Sequence, residues 1–251
     1  MRVDIVIVSY KPDLPWLAYC LRLLQKNWLD YSRVIVRLPE DCAAAIKDWR
    51  FLNTEFYYVN PWPDGYMFQM YQKLVSDDYS DAELILCVDS DVMLMRPARL
   101  SDFMVNRRPL IHYRNWGEKG EEVAEKVWRR PTSIVMGMDL DKDYMVAAPP
   151  LFWRDTFAVT RQHIVRVTGR GFFESVYSDV AFNAEGFTTH PMTFCDFEAL
   201  SLCGAKLEAD RYEVRHDDNR SASWPFKQFW SHGGLTLAIE KELKLALDSK
   251  D

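Results

Sequence analysis

The chain has 251 residues, a formal net charge of −6 and a hydrophobic share of 48%, which suffices to bury the core of one large domain. That balance excludes a disordered chain except at the last few residues, and it argues against a purely electrostatic grip on nucleic acid. Five cysteines (Cys20, Cys42, Cys87, Cys195 and Cys203) include no C-x-x-C pair and are odd in number, which argues for free thiols in a reducing compartment and against a zinc site.

"VDIVIV" (Val3 to Val8) is β-branched throughout and reads as a buried strand that ends in the polar "SYKPD". Leu14, Leu17, Leu21, Leu24 and Trp28 then recur at helical spacing, with Asp13 placed as N-cap and Pro15 in the first turn. "RVIVRL" (Arg33 to Leu38) predicts a second strand, and "AAAIKDW" behind it a short helix. "TEFYYV" (Thr54 to Val59) predicts a third strand closed by the turn cluster "NPWPDG". A helix over Tyr66 to Val75 leads to a fourth strand, "LILCV" (Leu84 to Val88). This alternation predicts a parallel sheet with helices on both faces.

Beyond Pro97 the rhythm changes. "PLIHY" (Pro109 to Tyr113) and "YMVAAP" (Tyr144 to Pro149) read as strands, while Arg154 to Thr168, Asp196 to Gly204 and the tail "GLTLAIEKELKLALD" read as helices. The expectation is therefore a single domain with a regular nucleotide-fold-like half, 1–97, and an irregular half, 98–251. "MRVDIVIVSYK" is too short and too charged for a signal peptide, and no apolar run approaches membrane-spanning length. A cytoplasmic protein without stable membrane insertion is expected.

The chemistry concentrates at "ELILCVDSDVMLMRP". Asp89 and Asp91, one residue apart across Ser90, follow an apolar strand and so should face the crevice at the carboxyl ends of a parallel sheet. Two carboxylates this close repel unless a cation lies near them, and a hard divalent ion such as Mg²⁺ or Mn²⁺ removes the repulsion. His232, in the Gly-rich turn "FWSHGGLT", offers a third donor. The plain alternatives are a turn-capping pair and an ordinary turn histidine.

Together, the strand-ending D-x-D, the first strand "IVIVSYK" and the late His resemble the GT-A class of nucleotide-sugar-dependent glycosyltransferases. "GYMFQMYQKL" (Gly65 to Leu74) is similar to a G-W-x-x-Q-Q-x-x-K-L segment of a group of little-characterised bacterial GT-A-like proteins. Gly65, Gln69, Lys73 and Leu74 match it, whereas Tyr66 and Met70 depart from it. "FCDFEAL" stands where that group carries an acidic residue opening a late helix, with Asp196 for the Glu.

The resemblance implies a GT-A-like α/β domain, with a Rossmann-like half around a mostly parallel sheet and an irregular acceptor-side half. It implies a metal held by Asp89, Asp91 and His232, and a nucleoside-diphosphate sugar, a UDP-sugar first among them. That donor would be met by Ser9, Tyr10, Lys11, Asp13, Gln69, Lys73, Asp89 and Ser90. Lys11, Lys73 and Arg154 are candidate counter-charges for the diphosphate. In an inverting enzyme Asp196, or else Glu198, would take the acceptor's proton; the bland role of Asp196 is a capping-box-like start with Thr193.

The acceptor is open: a glycan, or a hydroxymethylated base in DNA. For the latter, Arg107, Arg108, Arg129, Arg130, Arg161, Arg166 and Arg170 with Trp116, Trp128 and Trp153 could line a basic groove, or simply be surface charge. Rival readings are a haloacid-dehalogenase-like phosphatase, with "VDSDVML" as nucleophile segment and "RHDDN" (Arg215 to Asn219) as later acidic pair, and a GT-A-shaped binding protein without catalysis. A nucleotidyltransferase would want a glycine-rich first loop, which "SYKPDLP" lacks.

Overall fold

The structure is a computed structural model that describes residues 1–60, 65–118, 125–147, 149–176, 194–217, 224–229 and 231–249, with the side chains of 125, 126, 147 and 232 also outside the description. Part of the "NPWPDG" turn, Thr193 of the capping-box reading, and Asp218 and Asn219 of "RHDDN" lie outside the described residues.

Strand β1 (Val3–Val8) is the reason for the architecture. All six residues are buried, so the strand needs cover on both faces and cannot lie at an edge. It pairs in parallel with β2 (Arg33–Pro39) on one side and β4 (Leu84–Asp89) on the other; β3 (Thr54–Val59) extends the sheet beyond β2. A short antiparallel strand, β9 (Leu151–Trp153), closes the far side, giving the order β3-β2-β1-β4-β9. The fold is thus mixed α/β with a mostly parallel central sheet.

Side chains alternate across these strands and feed two cores. Val3, Ile5 and Ile7 join Val34, Val36, Leu84 and Leu86 beneath helix α1 (Leu14–Asn27). Val6 and Val8 join Ile35, Ile85 and Cys87 beneath α2 (Gly65–Leu74), α4 (Arg154–Thr168) and α6 (Asp196–Lys206), and the short helices α3 (Arg130–Met136) and α5 (Phe172–Val176) add Val135, Met136 and Val176 to the same core. The last helix, α7 (Leu237–Asp248), is fastened to α1, where the Lys26 ammonium donates to the carbonyls of Ala246 and Ser249 at 2.6 Å each. A smaller sheet forms around β7 (Arg108–Asn115), with β6 (Met104–Val105) and β8 (Lys142–Asp143) antiparallel and β10 (Glu213–His216) parallel to it. All five cysteines are buried free thiols. Among the described residues no helix is long and apolar enough to cross a membrane.

Two local expectations are corrected. "AAAIKDW" is not a helix: a 3-10 turn at Glu40–Cys42 runs into successive i→i+3 turns, with Ala45 N–H donating to the Cys42 carbonyl (3.0 Å) and Trp49 N–H to that of Ile46 (2.9 Å). Only Cys42 and Ile46 are buried there, too little apolar contact to offset the cost of helix nucleation. Tyr144 to Pro149 is not a strand either. The Tyr144 and Met145 amides are captured by the carboxylates of Glu198 (3.1 Å) and Asp143 (2.9 Å), and Met145–Ala147 turns as a 3-10 helix. Pro149 and Pro150 lack amide protons, so pairing resumes only at Leu151. Six short strands had no counterpart in the sequence reading: β6, β8, β9 and β10, and also β5 (Val92–Leu94), just behind the D-x-D, with its antiparallel partner β11 (Phe226–Gln228).

Candidate functional site

Strand order reverses at β1: the chain moves outward through β2 and β3, then returns to place β4 on β1's other side. Helices leave to opposite faces at such a switch point, and a crevice opens at the carboxyl ends of the two strands. Register puts Asp89 beside Val8 there, and Asp89 is itself the last residue of β4. A cavity of about 370 Å³ occupies this position, lined among others by Tyr10, Asp13, Gln69, Lys73, Asp89, Ser90, Asp91, Trp128, Asp196, Phe197, Gln228 and Ser231.

Helix α2 supplies the partners of Asp89. Gln69 and Lys73 are four residues apart and so share a face. Gln69 Nε2 donates to Asp89 Oδ1 at 2.9 Å, and the Lys73 ammonium donates to the same oxygen. Lys73 is fully buried; its Nζ stands 4.1 Å from the Phe197 ring centre and 3.9 Å from Asp196 Oδ2. Burial alone would lower its pKa, but the charges of Asp196 and Asp89 outweigh that and hold the ammonium above the ordinary lysine range.

Asp196 opens α6. Burial pushes its carboxyl up to about 7 against the opposing pull of Lys73. Both its oxygens are closed to solvent, and neither meets hydrogen-bond geometry with a described group. The nearby Lys73 ammonium, and then the amides of Phe197 and Asp196 in its own helical turn, favour the charge.

Asp91 is held differently. Its Oδ2 accepts the Ser231 amide at 2.7 Å, and its carbonyl accepts the Phe229 amide at 3.0 Å. Burial and then the neighbouring charge of Asp89 raise its carboxyl, while the Ser231 amide opposes the shift. This fastens the late Ser231–Gly233 turn to the D-x-D, so the chain segment bearing His232 does arrive at the site; the His232 side chain lies outside the described residues. Ser90 Oγ reaches Asp13 Oδ2 at 3.4 Å. The Tyr10 phenol is raised by burial and by the charges of Asp13 and Asp91.

Other expected residues go elsewhere. Asp13 occupies the N-cap position of α1, but its side chain makes no cap bond and lines the cavity instead. Ser9 is buried beside the site with its amide on the Arg37 carbonyl (3.0 Å), and Lys11 is exposed; neither lines the cavity. Arg154 is excluded as a counter-charge, since its amide bonds the Glu83 carbonyl at the opposite end of β4. Glu198 faces away: it accepts the Tyr144 amide, and its carboxyl is pushed well up by burial and by Asp143, which is itself ion-paired to Arg114 (2.8 Å).

None of the seven arginines of the expected groove lines the cavity, and four are drawn to separate partners, Arg161 to Asp77, Arg108 to Glu213, Arg129 to Asp139 and Arg166 to His163. Of the three tryptophans only Trp128 lines the cavity; the indole N–H groups of Trp116 and Trp153 serve the carbonyls of Leu140 and Arg211. In the phosphatase reading, Asp217 would sit near the D-x-D, but it follows β10 in the smaller sheet and does not line the cavity. Gln228 and Ser231 were not foreseen. They reach the site through the β5–β11 pairing, a long-range register without a local sequence signal.

Four carboxylates (Asp13, Asp89, Asp91 and Asp196) thus surround one cavity whose described lining holds a single cation, Lys73. Among the described residues, no group of three or more His, Cys, Asp or Glu is gathered closely enough to hold a metal ion by itself. The donor set is nonetheless rich in hard oxygen and net negative, and the charge of Asp89 adds to burial in raising the carboxyls of Asp91 and Asp196, so it fits a hard divalent cation. No protein-family model and no curated protein matches the chain.

Proposed function

We propose that the protein is a metal-dependent glycosyltransferase of GT-A type, moving a sugar from a nucleoside diphosphate to an acceptor hydroxyl. The observation that carries the reading is the placement of Asp89 and Asp91 at the carboxyl end of a central parallel strand, in a cavity with four carboxylates and one ammonium. Asp89 and Asp91 would hold Mn²⁺ or Mg²⁺, with His232 the candidate third donor. The bound ion would supply neutralisation of the charge that develops on a departing diphosphate.

The chain's own groups divide the remaining work. Tyr10, Asp13 and Ser90, which line the cavity at the ends of β1 and β4, would receive the nucleoside. Gln69 and Lys73 fix the orientation of Asp89 from α2. Trp128 offers a flat apolar wall on which a sugar or a planar acceptor can stack, whether the acceptor is a glycan or a hydroxymethylated base in DNA. The Asp196 carboxylate is closed off in this conformation, which speaks against direct contact with an acceptor hydroxyl.

The test is release of nucleoside diphosphate from a panel of UDP-, GDP-, ADP- and TDP-sugars, with Mn²⁺, Mg²⁺ or EDTA. One donor should be hydrolysed slowly and only with metal, and Asp91→Ala should lower that rate by about a hundredfold or more. Silence across the panel together with phosphate release from a simple phosphomonoester would overturn the transferase reading in favour of the phosphatase.

A further inference from the structure

Lys73 is shared unequally. Its ammonium donates to Asp89 Oδ1, stands 3.9 Å from Asp196 Oδ2, and rides over the Phe197 ring between the two. Both Asp196 oxygens are buried without a side-chain hydrogen bond, and only the amides of Phe197 and Asp196 in its own turn assist it, a thin supply for a buried carboxylate. Asp89, by contrast, gives one oxygen to two donors.

A divalent cation on Asp89 would lie within a few ångströms of a buried ammonium, and like charges at that range repel strongly. Lys73 is fully buried, so once a cation takes up Asp89 its ammonium needs a second partner within reach. Among the described residues Asp196 is the other carboxylate within 4.0 Å of Nζ. Closing that gap to ordinary bonding distance takes roughly 1 Å, a shift the flexible lysine stem allows.

We propose that Asp196 is a positioning residue that takes over the Lys73 ammonium when a divalent cation occupies Asp89. The empty acceptor positions on Asp196 are then the second seat of a two-position ammonium, and cation binding moves Lys73 from one carboxylate to the other. This rests on the metal reading above and assigns Asp196 a role through Lys73 in place of proton abstraction.

Calorimetric titration of the full chain with Mn²⁺ tests it, using wild type, Asp196→Asn, Lys73→Met and the double variant. Melting curves would establish that each is folded; Lys73→Gln, which keeps a donor for Asp89, replaces Lys73→Met if that variant does not fold. Asp196→Asn should weaken Mn²⁺ binding about tenfold when Lys73 is present, because the displaced ammonium then finds a neutral amide in place of a second carboxylate. In the Lys73→Met background the same change should matter by no more than about twofold. An equal loss in both backgrounds would make Asp196 a mere through-space charge and overturn the proposal while leaving the metal reading intact. So would wild-type affinity in Asp196→Asn. Failure of the wild type to bind Mn²⁺ would instead overturn the metal reading, and the proposal with it.

Discussion

Helix α6 sends two carboxylates from its first turn into two different worlds. Asp196 faces the cavity side, where Lys73 and Asp89 await it, and Glu198 faces the smaller sheet, where it meets Asp143, Arg114 and the Tyr144 amide. Two residues along a helix is about 200° of rotation, so the pair could never have shared a site. Both carboxyls are raised chiefly by burial. The difference lies in what surrounds them: one Glu198 oxygen accepts the Tyr144 amide just after β8, whereas Asp196 has only the amides of its own turn and sits one ammonium away from the D-x-D. Raised carboxylates can therefore mark either a fastened joint or a site, and the hydrogen-bond inventory tells them apart.

The largest effect that could break this contrast comes from Arg114→Met. It strips the cation from the Asp143–Glu198 pair and should cost about 3–5 kcal/mol, lowering the melting temperature by roughly 6–20 °C. Mn²⁺ binding by the folded variant should stay at the wild-type level. Loss of cation binding at an unchanged melting temperature would show that the two clusters are one.

Next in size is a dependence on pH. Both carboxyls have folded pKa values raised above their unfolded ones, so the folded chain keeps protons that the unfolded chain releases. That contribution is fully present at acid pH and is lost as pH rises, for Asp196 from about pH 4 to about 7. Denaturant melts across this range should show Glu198→Gln and Asp196→Asn both gaining on the wild type as pH rises, for Asp196 by on the order of a few kcal/mol. A constant offset would mean that the groups are not titrating in the folded state.

The smallest effect sets the scale for a substitution remote from both clusters. Thr236→Ala removes the side-chain cap on the Ile239 amide at the start of α7, which should cost about 1 kcal/mol, visible as a few degrees in a thermal melt. Mn²⁺ affinity and the pH profile should not move. If affinity falls as well, the Ser231 turn that ties to Asp91 depends on α7 more than the Asp91–Ser231 bond implies.

Much of this was legible in the amino-acid order. A wholly apolar β1 demands a central position, the spacing of Leu14, Leu17, Leu21 and Leu24 demands an amphipathic helix over it, and an apolar strand running into D-x-D demands carboxylates at the sheet's edge. Each is a local pattern whose physical meaning does not depend on the rest of the chain. The i, i+4 spacing of Gln69 and Lys73 placed both on one face in the same way, and both do meet Asp89.

What only the tertiary structure decided were the partnerships across long separations. Asp196 and Glu198 looked interchangeable in sequence; the environment on either side of α6 separated them. Arg154 and the scattered arginines carried charge that suited a phosphate or a polyanion, yet the fold assigned Arg154 to the opposite end of β4 and Arg161, Arg108 and Arg129 to acids elsewhere. Gln228 and Ser231 reach the site because β11 pairs with β5, a register set by packing beneath α1 and by no periodicity in the residues themselves. Periodicity dictates which face of an element is buried, but the neighbour it is buried against is chosen by the whole chain at once, and the character of each carboxylate follows from that neighbour.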